Sequence, residues 1–406
     1  MMRNFLLVIL IFISVNVFAQ DTIQLMSYNI LGYYDTPADS ATRNKYFRTT
    51  LRATKPDVLA VTEIKYLNGS LGFYNEVVRK VDTSYSRAPY INGYDTNSSL
   101  YFNKNKFHCD VNEVIQTTLR DINHYYLIRN ESNDTLHLFV VHLKASNGTV
   151  EAAQRKSEVD SLRKVTDLLP LNSSYIVCGD FNFYSSTEAG YQRLLEVNSN
   201  NTGHFKDKIN ITGTWNNSSY AQYHTQSPRT RSFGGGVTGG MDDRFDMILF
   251  SPTVFNDGDI KFIQNSYNAY GNDGQHYNDS INQLPNYVVP DSVANALHYA
   301  ADHIPVIVKL VYKNAFITSA GNKANKELKV KIYPNPSNSI FNIYSNEFSR
   351  FNTVNIFSTQ GVLLKEIQIQ NNLNSIQIDL SEFFSGIYFY QLKGNDITKS
   401  GYLIKL

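Results

Sequence analysis

A chain of 406 residues has room for two or three domains and for a large core. Its composition is globular, with 42% hydrophobic residues, many Tyr and Phe and a single Trp. Lys and Arg (37) nearly cancel Asp and Glu (36), and the resulting net charge of +1 excludes bulk electrostatic attraction to nucleic acid or to an anionic membrane. Any recognition of phosphate must therefore come from local geometry or from a metal ion.

Residues 1–19 have the make-up of a secretory signal. Arg3 supplies the positive flank, Phe5 to Val15 is an apolar stretch too short to span a bilayer, and Val17-Phe18-Ala19 suits a small-residue cleavage site. No later apolar run is long enough for a transmembrane helix, so the mature chain is expected to act outside the cytoplasm without stable membrane insertion.

From there to about residue 313, apolar strand-like runs alternate with helix-like segments. The strands are expected at Ile23–Ile30, Val58–Val61, Leu136–Leu143, Tyr175–Cys178, Phe245–Phe250 and Val306–Val311. Helices are expected at Tyr46–Thr54 and Val150–Leu169, the latter with Val150, Ala153, Val159, Leu162 and Val165 near helical spacing. This alternation predicts an α/β layered domain over residues 20–313. Residues 256–291, rich in Asn, Asp, Gly and Tyr, read as long surface loops. The two cysteines could pair in an exported protein, but Cys178 lies inside a strand-like run, and we expect it and Cys109 to be separate structural thiols.

The polar stretch 314–327 reads as a linker. Beyond it, over 328–406, short runs with β alternation are separated by turn signals such as Pro334-Asn335-Pro336 and Ser385-Gly386, which predicts a small β-sandwich. No acid–His cluster occurs there, so no chemistry is expected from the tail.

The chemistry-bearing residues sit where apolar runs end. Leu25–Ile30 delivers Asn29, Asp57–Glu63 delivers Glu63, and Phe139–Lys144 carries His142. Tyr175–Asn182 delivers Asp180 and Asn182; an extended backbone would send both to one face, and Gly179 would allow close approach to a ligand. Arg244–Phe250 places Asp246 at the beginning of a strand. In Ala301–Val308, Asp302 and His303 precede a proline and a β-branched run, so they should lie in the turn entering a core strand. Neighbouring side chains in such a turn point different ways, and one can take a metal while the other handles a proton. Singly, each has an ordinary structural reading: a turn Asn, a helix-capping Glu, a satisfied His. Their order along the chain is what carries weight.

Ser27-Tyr28-Asn29, Thr62-Glu63, Val141-His142-Leu143, Gly179-Asp180-Phe181-Asn182, Arg244-Phe245-Asp246 and Asp302-His303-Ile304-Pro305 together resemble the endonuclease/exonuclease/phosphatase (DNase I-like) superfamily. That resemblance implies a four-layer sandwich of two packed mixed β-sheets flanked by helices, with the site at one end. It implies metal ligation by Glu63, Asn29 and Asp302, with Mg²⁺ as the ion and Mn²⁺ or Ca²⁺ as alternatives. It implies His303 as the base that takes a proton from water, oriented by Asp246. Asp180 would align the water or the phosphate, and Asn182 and His142 would donate to the phosphoryl oxygens, His142 also assisting the leaving group. Thr62 stands where the family usually has Gln, which removes a supporting hydrogen bond.

Val330–Pro336, Asn355–Gly361 and Leu380–Tyr390, with Leu403-Ile404-Lys405-Leu406, resemble a type A C-terminal sorting domain of the type IX secretion system. Such domains are immunoglobulin-like β-sandwiches, and the secretion machinery would be the partner. The expected function is a monomeric, secreted or surface, metal-dependent phosphodiesterase, an extracellular endonuclease on DNA or RNA. Alternatives are a sphingomyelinase-type or other phosphoesterase, for which Tyr267–Tyr277 would be the membrane-facing hairpin, and a non-catalytic binding or adhesion protein. Arg229 and Arg231, in the stretch 227–236, are candidates for holding a backbone phosphate or for a solvated loop.

Overall fold

Side chains alternate across a strand, and that parity sorts the apolar residues of the first unit into layers. Ile23 and Leu25, Val58 and Ala60, Leu138 and Val140, Ile176 and Cys178, Ile248 and Phe250, and Val306 and Val308 share one core. The intervening Met26, Tyr28, Leu59, Val61 and Ile307 pack instead with Phe47 and Leu51 of a helix. Phe139, Val141, Val177, Met247 and Leu249 pack with Val159, Leu162, Tyr191 and Leu194 of two others. The order is therefore helices, sheet, sheet, helices, the four-layer α/β sandwich expected.

The computed structural model describes residues 21–34, 36, 42–198, 203–231, 235–312, 330–345, 348–359, 361–369, 375–394 and 398–406. The expected signal, residues 1–19, and the linker, 314–327, lie outside the described residues. The chain divides into two compact units, Met1–Ile317 and Thr318–Leu406.

The first sheet runs in the order Ile260–Phe262, Val306–Tyr312, Asp21–Tyr33, Val58–Ile64, Asn97–Asn103, Tyr85–Arg87, with Asn268–Ala269 also on Val306–Tyr312. The second runs Asp246–Phe250, Tyr175–Asp180, Thr135–His142, Ile122–Arg129, Phe107–His108, with Asn112–Ile115 also on Ile122–Arg129. Each contains one parallel pair, Asp21–Tyr33 with Val58–Ile64 and Thr135–His142 with Tyr175–Asp180. A parallel pair needs a crossover, and the helices Asn44–Thr54 and Thr149–Thr166 supply the two. The first of these helices stops where Lys55 turns left-handed, its N–H bonded to the Leu51 carbonyl, just before Pro56.

The long helix departs from the sequence expectation. Val150 is exposed, and the buried face carries Arg155, Glu158 and Arg163 beside Val159 and Leu162. Burying these charges is tolerable because each is paired. Arg155 donates to Glu188 Oε2 and to the carbonyls of Lys144 and Ser146, and Glu158 accepts from the Lys144 N–H. The polar face thus fastens the segment that leaves His142.

Gly179 also differs in its reason. A Cβ there would lie 1.9 Å from the Val141 carbonyl oxygen, and its φ is +135°. What approaches Gly179 closely is the neighbouring strand, not a ligand. Cys109 and Cys178 are separate buried thiols, both pushed up to about 12 by burial. Residues 256–291, expected as loops, contain two short strands at the first sheet.

The second unit has a three-stranded antiparallel sheet (Val330–Tyr333, Ile340–Ser345, Ser375–Asp379) and a four-stranded one (Leu363–Gln368, Thr353–Phe357, Gly386–Lys393, Thr398–Lys405). Phe341, Ile343 and Ile378 from one and Val354, Ile356, Leu392 and Leu403 from the other form its core, as in a β-sandwich. Among the described residues no helix is long and apolar enough to cross a membrane.

Candidate active site

The stripes of residues that face between the sheets end in polar groups. Following the parity, 25–27–29 ends on Asn29, 138–140–142 on His142, 176–178–180 on Asp180, and 250–248–246 on Asp246. The register sets three of these side by side, because Asp180 is paired with both His142 and Asp246. On the other sheet Asn29 is opposite Thr62, so simple alternation would send Glu63 to the helix-covered face with Val61. Glu63 has a φ of 60° and the strand register shifts after Asn29, which re-aims the carboxylate. A left-handed backbone at a non-glycine residue stores strain, and such strain concentrates at working sites.

Two groups result. Glu63, His142 and Asp180 present ligand atoms all within 4.8 Å of one another, as do Asp180, Asp246 and His303. Asp180 belongs to both. Its Oδ2 is 3.7 Å from His142 Nε2 and 3.7 Å from His303 Nε2, and Glu63 Oε1 is 3.8 Å from His142 Nε2. His303 Nδ1 is 2.6 Å from Asp246 Oδ2. All of these side chains are buried except that of Glu63, which is 21% exposed and marks the opening.

Asn29 lies between two carboxylates. Its Nδ2 donates to Glu63 Oε1 (2.9 Å) and to Asp180 Oδ2 (3.0 Å), while its Oδ1 accepts from the Leu31 N–H. The amide therefore spaces two carboxylates with its oxygen turned away from them. Glu63 Oε2 accepts from the Gly32 N–H, and Thr62 Oγ1 has no partner among the described residues. Support for Glu63 comes from Asn29 and Gly32.

Asp302 does not join the Glu63 group. Its Oδ2 accepts from the Val237 N–H at 2.7 Å, and a Cβ on Gly236 would meet the same oxygen at 2.5 Å. Arg229 is not in a solvated loop. It is buried near Asp302, and burial lowers its pKa although the carboxylate opposes this. Arg231 is exposed. Asn182 does not continue an extended strand, since its φ is 52°, its N–H donates to Asp180 Oδ1 and its Nδ2 to the Leu143 carbonyl.

Burial resists a charge on His303, yet Asp246 and Asp180 outweigh it and raise the imidazole well above its usual pKa. Burial dominates at His142 and pushes it down to about 4, so that ring is neutral. Asp180 is raised, by burial first, with the two histidines opposing. A basic imidazole on a carboxylate and a neutral one beside two acids can divide proton transfer from donation. The oxygen-rich group at Glu63 and Asp180, with His142 at its edge, suits a hard divalent cation.

Sequence reasoning missed the parts that hold Asp246 and His303. Thr225 Oγ1 accepts from the Asp246 N–H, and the Thr225 carbonyl accepts from the Ile304 N–H. Nothing in His224-Thr225-Gln226 signals this. Arg244 makes two 2.8 Å bonds to Asp207, which also accepts from Tyr191. Both charges are buried, so Asp207→Ala strands the Arg244 cation and should cost about 3–5 kcal/mol. A urea-unfolding midpoint within error of the parent would show that the pair does not anchor the strand.

Residues 26–262, more than half of the chain, match the Endonuclease/Exonuclease/phosphatase family. Residues 331–405 match the Secretion system C-terminal sorting domain. No curated protein matches the chain. Among solved structures, a humanized D. rerio TDP2 is 13% identical with a TM-score of 0.48, covering 71% of this chain and 98% of its own. An endonuclease/exonuclease/phosphatase family protein from Bacteroides thetaiotaomicron is 15% identical with a TM-score of 0.46, at 73% and 99% coverage. The human Nocturnin catalytic domain with bound sulfate is 18% identical with a TM-score of 0.43, at 72% and 97%. The chain belongs to the endonuclease/exonuclease/phosphatase family of metal-dependent phosphoesterases, and its secretion tail marks it for export to the medium or the cell surface.

Proposed function

We propose that the chain is a secreted endonuclease that hydrolyses phosphodiester bonds of DNA or RNA by direct attack of water. One observation carries this reading: Asp180 joins the Asp246–His303 pair to the Glu63–His142 group, so a base and an ion-holding cluster share one opening. His303 Nε2 takes the proton of the attacking water, while Asp246 fixes the other ring nitrogen. Asp180 aligns the water, and Asn182 and His142 donate to phosphoryl oxygens as charge builds. Glu63 and Asp180, spaced by Asn29, would hold Mg²⁺ or Mn²⁺. The bound ion supplies charge neutralisation at the scissile phosphate and the leaving oxygen. Asp302 orients the turn that carries His303.

A phospholipid substrate finds no support in the stretch 267–277. Tyr267, Tyr270 and Tyr277 are all partly buried, and Tyr267 packs on the core between the sheets. The test is a panel of duplex DNA, single-stranded DNA, RNA, sphingomyelin and inositol phosphates, each with and without Mg²⁺. Turnover is expected on nucleic acid with Mg²⁺. Turnover on sphingomyelin or inositol phosphates alone would replace this reading, and none on any arm would favour a binding protein.

A further inference from the structure

The two strands of the first sheet's parallel pair each leave the site through an exposed tyrosine. Tyr34 follows Asp21–Tyr33 and is 42% exposed; Tyr66 follows Val58–Ile64 and is 50% exposed. Their rings meet edge to face, with centroids 5.6 Å apart and planes at 69°. Both are tied to the ion-holding carboxylate through short lengths of chain. Tyr34 lies two residues beyond Gly32, whose N–H holds Glu63 Oε2, and Tyr66 lies three beyond Glu63 itself. Measured between Cα atoms these spans can be at most roughly 7 and 10 Å, which keeps both residues close to the carboxylate. Lys65 precedes Tyr66, and its Cε would be 3.4 Å from a Cβ on Gly32.

Tyr66 has a φ of 58°, which bulky side chains rarely adopt. Beside the pair lies a cleft of about 530 Å³ lined by Tyr34, Asn68, Leu71, Asn75 and the acidic Glu76, among others. That volume falls within the range of small-ligand pockets, roughly 300–1,000 Å³. Two ring faces, side-chain amides and a neighbouring cation are the groups that recognise a nucleobase on its phosphate chain.

We propose that Tyr34 and Tyr66 form a stacking platform for an unpaired nucleobase next to the scissile phosphate. The proposal rests on the reading of the chain as a nuclease and narrows it to single-stranded nucleic acid. Every base has a π face, so such a platform favours unstacked bases with little regard to sequence. In a duplex those faces are already covered by neighbouring bases. Asn68 and Asn75 would meet the edge of the base, and Lys65 the adjoining phosphate.

The test compares a short single-stranded oligonucleotide with one of the same length in which the nucleotides flanking a single cleavable linkage are abasic. The full-length chain should prefer the first by about tenfold or more in kcat/KM, the size of one base–aromatic stack. Tyr66→Ala and Tyr34→Ala should each reduce that preference several-fold, while Tyr66→Phe, which keeps the ring, should retain it. Equal cleavage of both oligonucleotides by the parent, or a preference untouched by either alanine variant, would overturn the platform and leave the nuclease reading standing.

Quenching of a 2-aminopurine oligonucleotide in EDTA separates the two ideas. Tyrosine-dependent quenching without hydrolysis under any condition would keep the platform and remove the nuclease. Absence of both would remove both. Tyrosine-dependent binding to sphingomyelin vesicles, with none to the oligonucleotide, would replace the base with a lipid surface.

Discussion

His303→Ala should lower kcat by about 10²–10⁴-fold on whichever phosphodiester the chain hydrolyses, with the fold retained. The ring is buried and its Nδ1 is bonded to Asp246, so the variant should also lose some stability, whereas the Nε2 that faces Asp180 is the nitrogen whose loss the rate reports. The pH profile gives a sharper reading, because the sign is fixed by the surroundings. Asp246 and Asp180 outweigh burial and hold the His303 pKa well above its usual range. A base must be unprotonated to act, so activity should rise with pH through that value. Asp246→Asn removes one of the charges that hold it up, so the acidic limb should move to lower pH while the plateau falls. Measure kcat against pH for both proteins, with circular dichroism as the check on folding. An acidic limb that stays put or moves upward would separate Asp246 from the titrating group, and near-normal turnover in folded His303→Ala would remove His303 as the base.

The site was legible because strand parity works over long distances. Once Leu138 and Val140, or Ile176 and Cys178, are taken as facing one core, the next residues in phase are His142 and Asp180. The same parity failed at Glu63 and Asn182, where positive φ angles turn the chain and no sequence period reports it. The contact that Asp302 makes could not be foreseen for a different reason. Its partner, the Val237 N–H, is a backbone group 65 residues away, and backbone donors leave no mark on composition. The helix Thr149–Thr166 hid its orientation because its buried face is built from paired Arg and Glu. Asn97–Asn103 and Ile122–Arg129 escaped because Asn, Ser and His interrupt the apolar alternation, although the sheets bury most of each strand.

Chelation should abolish activity, and Mg²⁺ or Mn²⁺ should restore it, with Glu63 as the residue on which the requirement turns. Both oxygens of this carboxylate already accept hydrogen bonds, one from Asn29 Nδ2 and one from the Gly32 N–H. Glu63→Gln therefore does more than remove a charge. Whichever way the new amide is turned, its NH₂ faces a donor, so the side chain must leave its cradle or lose a bond. The consequence can be read without turnover. An ion that binds only the folded chain raises stability by about 2.7 kcal/mol at a hundredfold excess over its Kd, so the melting temperature of the parent should climb with Mg²⁺ concentration. In Glu63→Gln the climb should begin at much higher Mg²⁺, and activity should need the same higher concentration. Asn29→Ala should weaken the response as well, because Glu63 and Asp180 would then face each other without the amide that spaces them. If the parent keeps full activity in EDTA, the ion has no part in the reaction. If Glu63→Gln melts and responds to Mg²⁺ as the parent does, the ion is held elsewhere, and Asp302 with Asp246 becomes the place to look.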